Sequence, residues 1–530
     1  MNQTLRLSSL SLVSCLGISV MLISPALAQV NGPGPSPSSA FDIVLNLPGD
    51  EAVITGAIVG ESIGGTPGQT TQLNVSDGGE VGGGFFANSG GEVNIVGGIL
   101  GGRFFANSGS EVNISGGFVD LGFDAASESV VNISGGTVSS SFIALSGSEV
   151  NISGGTVGNR FEAQAGSDVE LIGGEFRLNG ADFTGSAISL ADEDVFTGTL
   201  ADGSSFLFST CNGDDLIDVT LTVAPLPPLD LNPIVINAPV VSGPSGLRTG
   251  QTLTLQAGGS LRDNFAVVNA TLNVEAGIVG DETQVFDSVV NINGGTIGDS
   301  ISVFSSSEVS ISGGTVGNGF NALPGSEVNI SGGTVGRSFN ASSGSVVNIS
   351  GGDVGSSFRA LPGSEVNISG GNLGGNFNAS SGSEVNIRGG TQDNNFDVFG
   401  GGTLNIFGSE FFIDGVELTE VLLGQAAIIT DRNVTLSGVL ADGEPFSFDL
   451  NSILLADSDF FDPDATLTVT LTAPFLLGDV NMDGVVDFFD IAPFIELLSS
   501  QTFQAEADID GNGVVDFFDI QPFIDILSGQ

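Results

Sequence analysis

Several residue types with distinctive chemistry are missing from this 530-residue chain, which has no His, Lys, Trp or Tyr. Without His, neither a Ser-His-Asp nor a Cys-His nucleophile system can form, and His-containing zinc sites are excluded. Without Lys, Schiff-base and Ser-Lys mechanisms are excluded as well. Carboxylate chemistry of the glycosidase kind stays open, although such enzymes usually hold sugar rings with Trp or Tyr. The composition therefore favours a protein that is not an enzyme.

Basic charge is also scarce, since ten Arg stand against 61 acidic residues and the net charge is −51. Nucleic acids and anionic membranes are bound through Lys and Arg, so neither is an expected partner. The positive mean hydropathy of +0.32 and the 38 Phe residues exclude a disordered acidic tail. Cys15 and Cys211 are the only cysteines, and Cys15 lies in a segment predicted to be removed, so no intrachain disulfide is expected.

The N-terminal segment has the pattern of a secretory signal peptide, predicted over residues 1–28. A single charge, Arg6, precedes an apolar stretch from Leu7 to Ile23, and Ala26-Leu27-Ala28 supplies the small residues of a cleavage site. A retained membrane anchor and lipidation at Cys15 are the alternatives. We therefore expect a secreted or cell-surface protein with no membrane span after cleavage.

The middle of the chain consists of an internal repeat, in which the string VNISGGTVG recurs every 19 residues. One array of about six coils centres on Asn94, Asn113, Asn132 and Asn151, and a second of about eight coils includes Asn291, Asn329, Asn348, Asn367, Asn386 and Asn405. Val, Ile, Thr and Phe favour strands, and Gly-Gly favours turns. The repeat predicts a mainly all-β fold of two parallel β-helices, with three short strands per coil. Val, Ile, Phe and Ala are expected inside, and Asn, Thr and Ser outside.

Stacked coils place equivalent residues above one another at a spacing of ~4.8 Å, which converts the repeat into ladders. The predicted Phe ladders are Phe85, Phe104, Phe123, Phe142 and Phe161 in the first array, and Phe320, Phe339, Phe358, Phe377 and Phe396 in the second. Burial of each ring is worth roughly 1.5–3 kcal/mol. These ladders are expected to stabilise the arrays in place of disulfides.

Two outward rows admit a functional interpretation beside a structural one. A Glu row contains Glu111, Glu149, Glu308 and Glu327, and is interpreted as a solvated face, with weak multi-site cation binding as the alternative. A Thr row is compatible with ice binding, but one Thr per coil disfavours it. Asp214-Asp215 is the one acidic pair that invites comparison with β-helix hydrolases, and it is interpreted as a solvated loop.

Each array is followed by an alternating segment, GTLADGSSFLF in one case and GVLADGEPFSF in the other, so that array and tail are duplicated together. These tails are predicted to be antiparallel caps that protect the open end of each stack. The predicted domains are a signal peptide 1–28, a flexible segment 29–40, a first solenoid 41–180, its cap 181–224, a Pro-rich linker 225–233, a second solenoid 234–412, its cap 413–474, and a C-terminal domain 478–530.

The C-terminal domain contains two 12-residue motifs, DVNMDGVVDFFD at 479–490 and DIDGNGVVDFFD at 508–519. Calcium takes oxygen ligands from positions 1, 3, 5, 7, 9 and 12 of such a loop, with Gly at position 6. The first loop offers Asp479, Asn481, Asp483, the Val485 carbonyl, Asp487 and Asp490. The second offers Asp508, Asp510, Asn512, the Val514 carbonyl, Asp516 and Asp519. The spacing predicts two Ca²⁺ ions, each loop running into a short apolar helix.

Paired calcium loops that each lead into a helix, at the end of an exported protein, resemble a type I dockerin. The resemblance covers residues 478–528 and implies calcium-dependent folding and docking to a cohesin module on a scaffold or surface protein. In that family, loop positions 10 and 11 contact cohesin. Here they are Phe488-Phe489 and Phe517-Phe518, where the best-known dockerins often have small hydroxylic residues. The alternative is that these Phe residues pack internally or against the second cap.

The sequence as a whole favours a structural or adhesive surface or matrix protein, with the arrays as spacers and the dockerin-like module as the attachment. The alternative is a dockerin-borne component that binds or degrades a polysaccharide through the β-helix.

Overall fold

The computed structural model describes residues 42–45, 62–63, 71–75, 80–82, 84–120, 122–138, 141–158, 160–238, 246–393, 395–454, 458–472, 476–481, 485–500, 504, 506–509 and 514–528. The predicted signal peptide, the segment 29–40 and Cys15 lie outside these residues. The chain divides into two compact units, residues 1–230 with 244–248, and residues 231–243 with 249–530. Both units contain parallel β-solenoid coils, which confirms the predicted fold, and the turns number about 16 in all, compared with the six and eight coils counted from the repeat.

In the first unit, β-branched residues flanking each Gly-Gly form one long strand per coil, and Phe-x-Ala forms a short one. The long strands pair in parallel in the order Asp42–Leu45, Thr71–Val75, Gly91–Gly101, Glu111–Val119, Val130–Val138, Glu149–Val157 and Asp168–Leu178, with Glu80–Gly82 beside Gly91–Gly101. The short strands form a second parallel sheet, Ser62–Ile63, Phe85–Ala87, Phe104–Ala106, Phe123–Ala125, Phe142–Ala144, Phe161–Ala163 and Asp215–Leu216.

In the second unit, most coils have three strands, as predicted. The Val-Asn-Ile strands are Ile234–Ile236, Thr252–Leu255, Thr271–Val274, Val289–Ile292, Glu308–Ile311, Glu327–Ile330, Val346–Ile349, Glu365–Leu373, Glu384–Gln392 and Thr403–Ile413. The strands after Gly-Gly are Ser260–Leu261, Ile278–Val279, Thr296–Ile297, Thr315–Val316, Thr334–Val335 and Asp353–Val354. The third strands are Ala266–Val268, Gln284–Phe286, Ser302–Val303, Asn321–Ala322, Asn340–Ala341, Arg359–Ala360, Phe377–Ala379 and Phe396–Val398.

The Gly-Gly pair turns the chain at a corner of each coil, and it accounts for a difference from the prediction. In the first unit, the strands on either side of the corner are continuous, so each coil has two strands rather than three. The ladder register shifts there, for example between Ile133 and Ser134. Gly136 has φ of +77°, and a Cβ at this position would lie 2.6 Å from the carbonyl oxygen of Gly116 in the coil below. Only Gly fits this close stacking.

The interior contains the predicted aromatic ladders. Successive Phe centroids lie 4.9–5.4 Å apart in the first unit and 4.5–4.8 Å apart in the second, where neighbouring rings are within 5° of parallel. Phe339 and Phe358, 4.7 Å apart, are fully or almost fully buried. A tilted ring from the cap follows the last ring of each ladder, since Phe208 packs against Phe161 and Phe448 packs against Phe396. Phe residues that are 19 positions apart in the sequence are therefore direct neighbours in consecutive coils.

The polar rows follow the prediction for Asn but not for every Ser and Thr. Outward Asn side chains bond to each other along the stack, as in Asn367 Nδ2 to Asn348 Oδ1 at 3.0 Å. In contrast, the Ser that precedes many of these strands is buried, and in several coils its hydroxyl donates to the carbonyl three residues earlier, as Ser129 does to Ala126. Thr137 and Thr156 are also buried, and the strand that carries Thr156, Glu149–Val157, contacts the cap hairpin of the first unit. In the second unit, Thr315 and Thr334 are exposed.

The cap of each unit contains the predicted antiparallel hairpin, Val195–Leu200 with Ser205–Ser209 and Thr435–Leu440 with Pro445–Asp449. The later segments Val219–Val223 and Thr466–Leu471 instead pair in parallel with the last long strand of each solenoid. Each adds one further strand to the parallel sheet. The remaining cap elements are the strands Ala181–Asp182, Ala187–Ile188, Val416–Glu417, Ala426–Ile428 and Phe460–Phe461 and the 3₁₀ turn Thr210–Asn212.

Four cap Asp residues accept hydrogen bonds from N–H groups of the last coils. Asp214, predicted in a solvated loop, is 2% exposed, and its carboxylate accepts from the backbone N–H groups of Phe161 and Ser209, both at 2.7 Å. Asp459 does the same for Phe396 in the second unit. Asp202 and Asp442 accept from the corner glycines Gly155 and Gly390. These carboxylates satisfy N–H groups that the end of a stack would leave unpaired.

Candidate calcium-binding and docking module

The C-terminal module is built from two copies of one loop-helix unit. In each, a 3₁₀ turn, Phe488–Asp490 or Phe517–Asp519, leads directly into an α-helix, α1 (Ile491–Ser500) or α2 (Ile520–Ser528). Asp487 and Asp516 cap these turns by accepting from the backbone N–H groups of Phe489 and Phe518. The capping box explains why each helix begins where its loop ends.

The last loop residue, Asp490 or Asp519, is fully buried and clamps its loop. Asp490 Oδ1 accepts from the N–H of Asn481 at 2.9 Å, and its Oδ2 accepts from that of Asp487 at 2.8 Å. Asp519 accepts from Ile509 at 2.6 Å and from Asp516 at 2.8 Å. Both carboxylates therefore hold the beginning and the end of their loops together.

The two units pack through a small apolar core. Phe494 of α1 and Phe523 of α2 stack with centroids 4.2 Å apart, and Val480, Ala507 and Val515 are buried beside them. Phe494 and Phe523 occupy the same position in near-copies of one sequence, FFDIAPFIELL and FFDIQPFIDIL. The two helices therefore contribute equivalent rings to the core of the module.

The structure describes nine of the twelve predicted calcium ligands, whereas Asp483, Asp510 and Asn512 lie outside the described residues. Asp479, 2% exposed, and the fully buried Asp490 lie within the first loop. The described residues alone contain no group of three or more His, Cys, Asp or Glu side chains arranged to hold a metal. The three undescribed residues are needed to complete the two predicted sites.

The donor set fits calcium. Residues 477–527 include eleven acidic side chains and no Lys or Arg, so the module supplies no basic side chain of its own to its buried carboxylates. Burial of a carboxylate is costly unless a cation or several donors compensate it. Hard oxygen ligands in a 12-residue loop are what Ca²⁺ prefers. The remaining ligand positions, Asn481, Val485, Asp487, Asp508, Val514 and Asp516, are all compatible with this chemistry.

Two Phe pairs are the most exposed aromatic side chains among the described residues of the module. Phe488, Phe489, Phe517 and Phe518 are 68–78% exposed, so the alternative that they pack internally or against the second cap is wrong. They cannot turn inward, because the next turn of each helix already fills the core with Phe494 and Phe523. The pairs occupy equivalent positions at the starts of the two helices. We name these four residues the Phe quartet.

No curated protein and no solved structure matches the chain. A protein-family model, the dockerin type I domain, matches residues 477–527. The match confirms the resemblance inferred from the loops and helices. Dockerin domains bind cohesins, type I dockerins generally bind calcium, and proteins that carry them are typically extracellular or attached to the cell surface. In the part of the chain that the structure describes, no helix is long and apolar enough to cross a membrane. Residues 477–527 are therefore a dockerin type I domain that follows the β-solenoid coils in this chain.

Proposed function

We propose that this is an exported, non-catalytic structural or adhesive protein that attaches to a cohesin-bearing scaffold or surface protein through its C-terminal module. The observation that carries the proposal is the dockerin match over residues 477–527, together with an exposed aromatic surface at the positions through which that family docks. Two Ca²⁺ ions, one per loop, hold the module in its binding conformation.

The Phe quartet is the docking surface in this proposal. Burial of an exposed Phe side chain contributes roughly 1.5–3 kcal/mol, and aromatic anchors dominate many interfaces. A partner for this surface has apolar pockets, rather than the hydrogen-bonding groups that small hydroxylic residues would use. The module has no basic residue, so charge attraction favours a partner with a neutral or basic face.

The solenoid arrays are the spacer in this proposal. Each coil contacts chiefly its neighbours, so each array is a stack whose length follows from the number of coils. Buried Phe, Val and Ile side chains fill the interior of the described coils of both arrays. Asp214, half of the acidic pair considered for catalysis, is used by the backbone of the first cap. These features support a mechanical role over a catalytic one.

The test is isothermal titration of the full chain with type I cohesin modules, in Ca²⁺ and in EDTA. The expected result is binding in Ca²⁺ only, weakened at least about tenfold in the double variant Phe488→Ala/Phe517→Ala, since one buried aromatic anchor is worth ~2 kcal/mol. The matched control is Ile495→Ala/Ile524→Ala, which removes exposed apolar side chains from the same helices. Equal weakening by the control, or binding that survives EDTA, would contradict the proposal.

A glycan-array screen of the purified protein tests the spacer role separately. The expected result is no specific glycan. A clean polysaccharide hit that survives deletion of the C-terminal module would replace the spacer with a carbohydrate-binding function of the solenoid.

A further inference from the structure

The last coil of the second solenoid contains a buried acidic corner outside the dockerin-like module. Asp397 extends from strand Phe396–Val398 and is 7% exposed. Its register partner is Phe460 of the cap, next to Asp459. The Asp459 carboxylate accepts from the backbone N–H groups of Asn395 at 3.0 Å and Phe396 at 2.8 Å. Asn395, Asp397 and Asp459 therefore meet at one corner of the stack.

Two buried oxygen atoms at this corner lack hydrogen-bond partners. Asp397 Oδ1 and Asn395 Oδ1 are both inaccessible to solvent and accept no hydrogen bond from the described residues. The amide nitrogen of Asn395 is already used, because it donates to Asn376. Burial, together with the charge of Asp459, raises the pKa of Asp397 to about 6. An unsatisfied buried acceptor costs free energy, and two beside a second carboxylate indicate a missing donor or cation.

The equivalent corner of the first unit lacks this deficiency. Glu162 stands where Asp397 does, and its Oε1 accepts from Gln164 Nε2 at 2.6 Å. In the second unit, the Gln164 position is occupied by Phe399, whose ring packs against Phe460 with centroids 5.6 Å apart. Arg160, a basic residue, stands where the second unit has Asn395. At the second corner, Phe399 and Asn395 thus replace Gln164 and Arg160. The amide donor of Gln164 and the positive charge of Arg160 have no counterpart at these two positions.

We propose that Asn395, Asp397 and Asp459 form a binding site for a divalent cation that prefers oxygen ligands, Ca²⁺ being the first candidate. Asp397 Oδ1 and Asn395 Oδ1 supply the two unpartnered ligands. Asp459 adds a second negative charge at this corner, while its Oδ1 accepts from Asn395 and Phe396 and its Oδ2 accepts from the N–H of Asp449 at 3.0 Å. Backbone carbonyls and water complete the six to eight oxygens that Ca²⁺ takes. The ion fastens the second cap to the last coil, where the first unit uses its own side chains.

Equilibrium dialysis of the full chain against ⁴⁵Ca²⁺ tests this site. Asp397→Asn is expected to bind about one ion fewer than the natural sequence, because it removes the buried charge and leaves the two dockerin loops intact. The matched control, Glu162→Gln at the equivalent corner, is expected to keep the full stoichiometry. Equal stoichiometry in all three proteins would overturn the proposal.

Amide hydrogen exchange gives a readout that does not require the variant to fold well. In the natural sequence, Ca²⁺ is expected to slow exchange at Phe396 and Phe461 at least several-fold, but not at Phe161 and Leu216 of the first corner. In Asp397→Asn the slowing disappears at the second corner and persists in residues 514–528, which separates this site from the dockerin loops. Unchanged exchange at Phe396 and Phe461 in the natural sequence would contradict the site even if Asp397→Asn failed to fold.

Discussion

The solenoid arrays and the C-terminal module solve the problem of a stable fold in opposite ways. An array buries uncharged ladders of Phe, Val and Ile, and its outward Asn side chains bond to their own copies one coil away. Among its described residues, the module buries a cluster of five apolar side chains and places Asp490 and Asp519 at zero exposure, without any Lys or Arg between residues 477 and 527. Repetition stabilises the coils of an array, whereas the module is proposed to depend on a cation that neutralises its carboxylates.

The largest expected loss of stability comes from removing one Phe ring of a ladder, and it tests the array side of this contrast. Phe339→Ala removes a fully buried ring between two parallel neighbours and is expected to lower the free energy of unfolding by ~3–5 kcal/mol. Phe488→Ala, at a 78% exposed position of the module, is the control and is expected to change it by less than ~0.5 kcal/mol. Urea unfolding measures both. Equal effects would mean that the ladder does not stabilise the array.

A smaller effect is expected in the pH dependence of stability, and it comes from Asp214, the carboxyl group buried under the first cap. Burial raises the pKa of Asp214 to about 7, above the value of ~3.9 expected in the unfolded chain. The folded state therefore holds a proton that the unfolded state releases between pH 4 and 7. Its contribution to stability is complete below about pH 4 and is lost as the pH rises to 7, by at most about 4 kcal/mol.

Hydrogen exchange of the Ser209 and Phe161 amides across this pH range checks the prediction, after correction for the intrinsic pH dependence of exchange. Asp214→Asn is expected to flatten the remaining dependence. A stability that increases from pH 4 to 7 and is insensitive to Asp214→Asn would contradict it.

The smallest effect is expected in the polar ladder. Asn367→Ala breaks the hydrogen bonds with Asn348 and Asn386 on an outward row and is expected to cost ~1 kcal/mol. Asn378→Ala is the control, because among the described residues its side chain bonds to the nearby backbone carbonyl of Asn376 and not to an Asn of the next coil. A difference between the two urea midpoints supports the ladder, and identical midpoints would show that the outer row adds nothing to stability.

The register of the arrays was predictable, because the 19-residue repeat determines which residues of adjacent coils lie next to each other. Phe339 and Phe358, 19 residues apart, contact each other for that reason alone. The inward turn of Ser129 was not predictable from alternation, since it depends on a local bond to the Ala126 carbonyl. Asp214 was misplaced because its partner Phe161 lies 53 residues away. Contacts that occur once in the chain carry no periodic signal.

The candidate site was predictable to a similar degree. Loop spacing identified the module and its helices, and the family match over residues 477–527 confirms it. The exposure of Phe488 and Phe517 was left open, because Phe is usually buried and only the packing of Phe494 against Phe523 decides which rings fill the core. The buried corner at Asp397 gave no sequence signal, since it depends on Phe399 and Phe460 meeting across the cap.

The measurement that tests the central contrast most directly is amide hydrogen exchange of the full chain before and after EDTA. The account predicts that amides of helices α1 and α2 lose their protection when calcium is removed, while those of the ladder strands around Phe339 and Phe358 keep it. Unchanged protection in α1 and α2 after EDTA would contradict the account, because the module would then fold without the cation that its buried carboxylates are inferred to require.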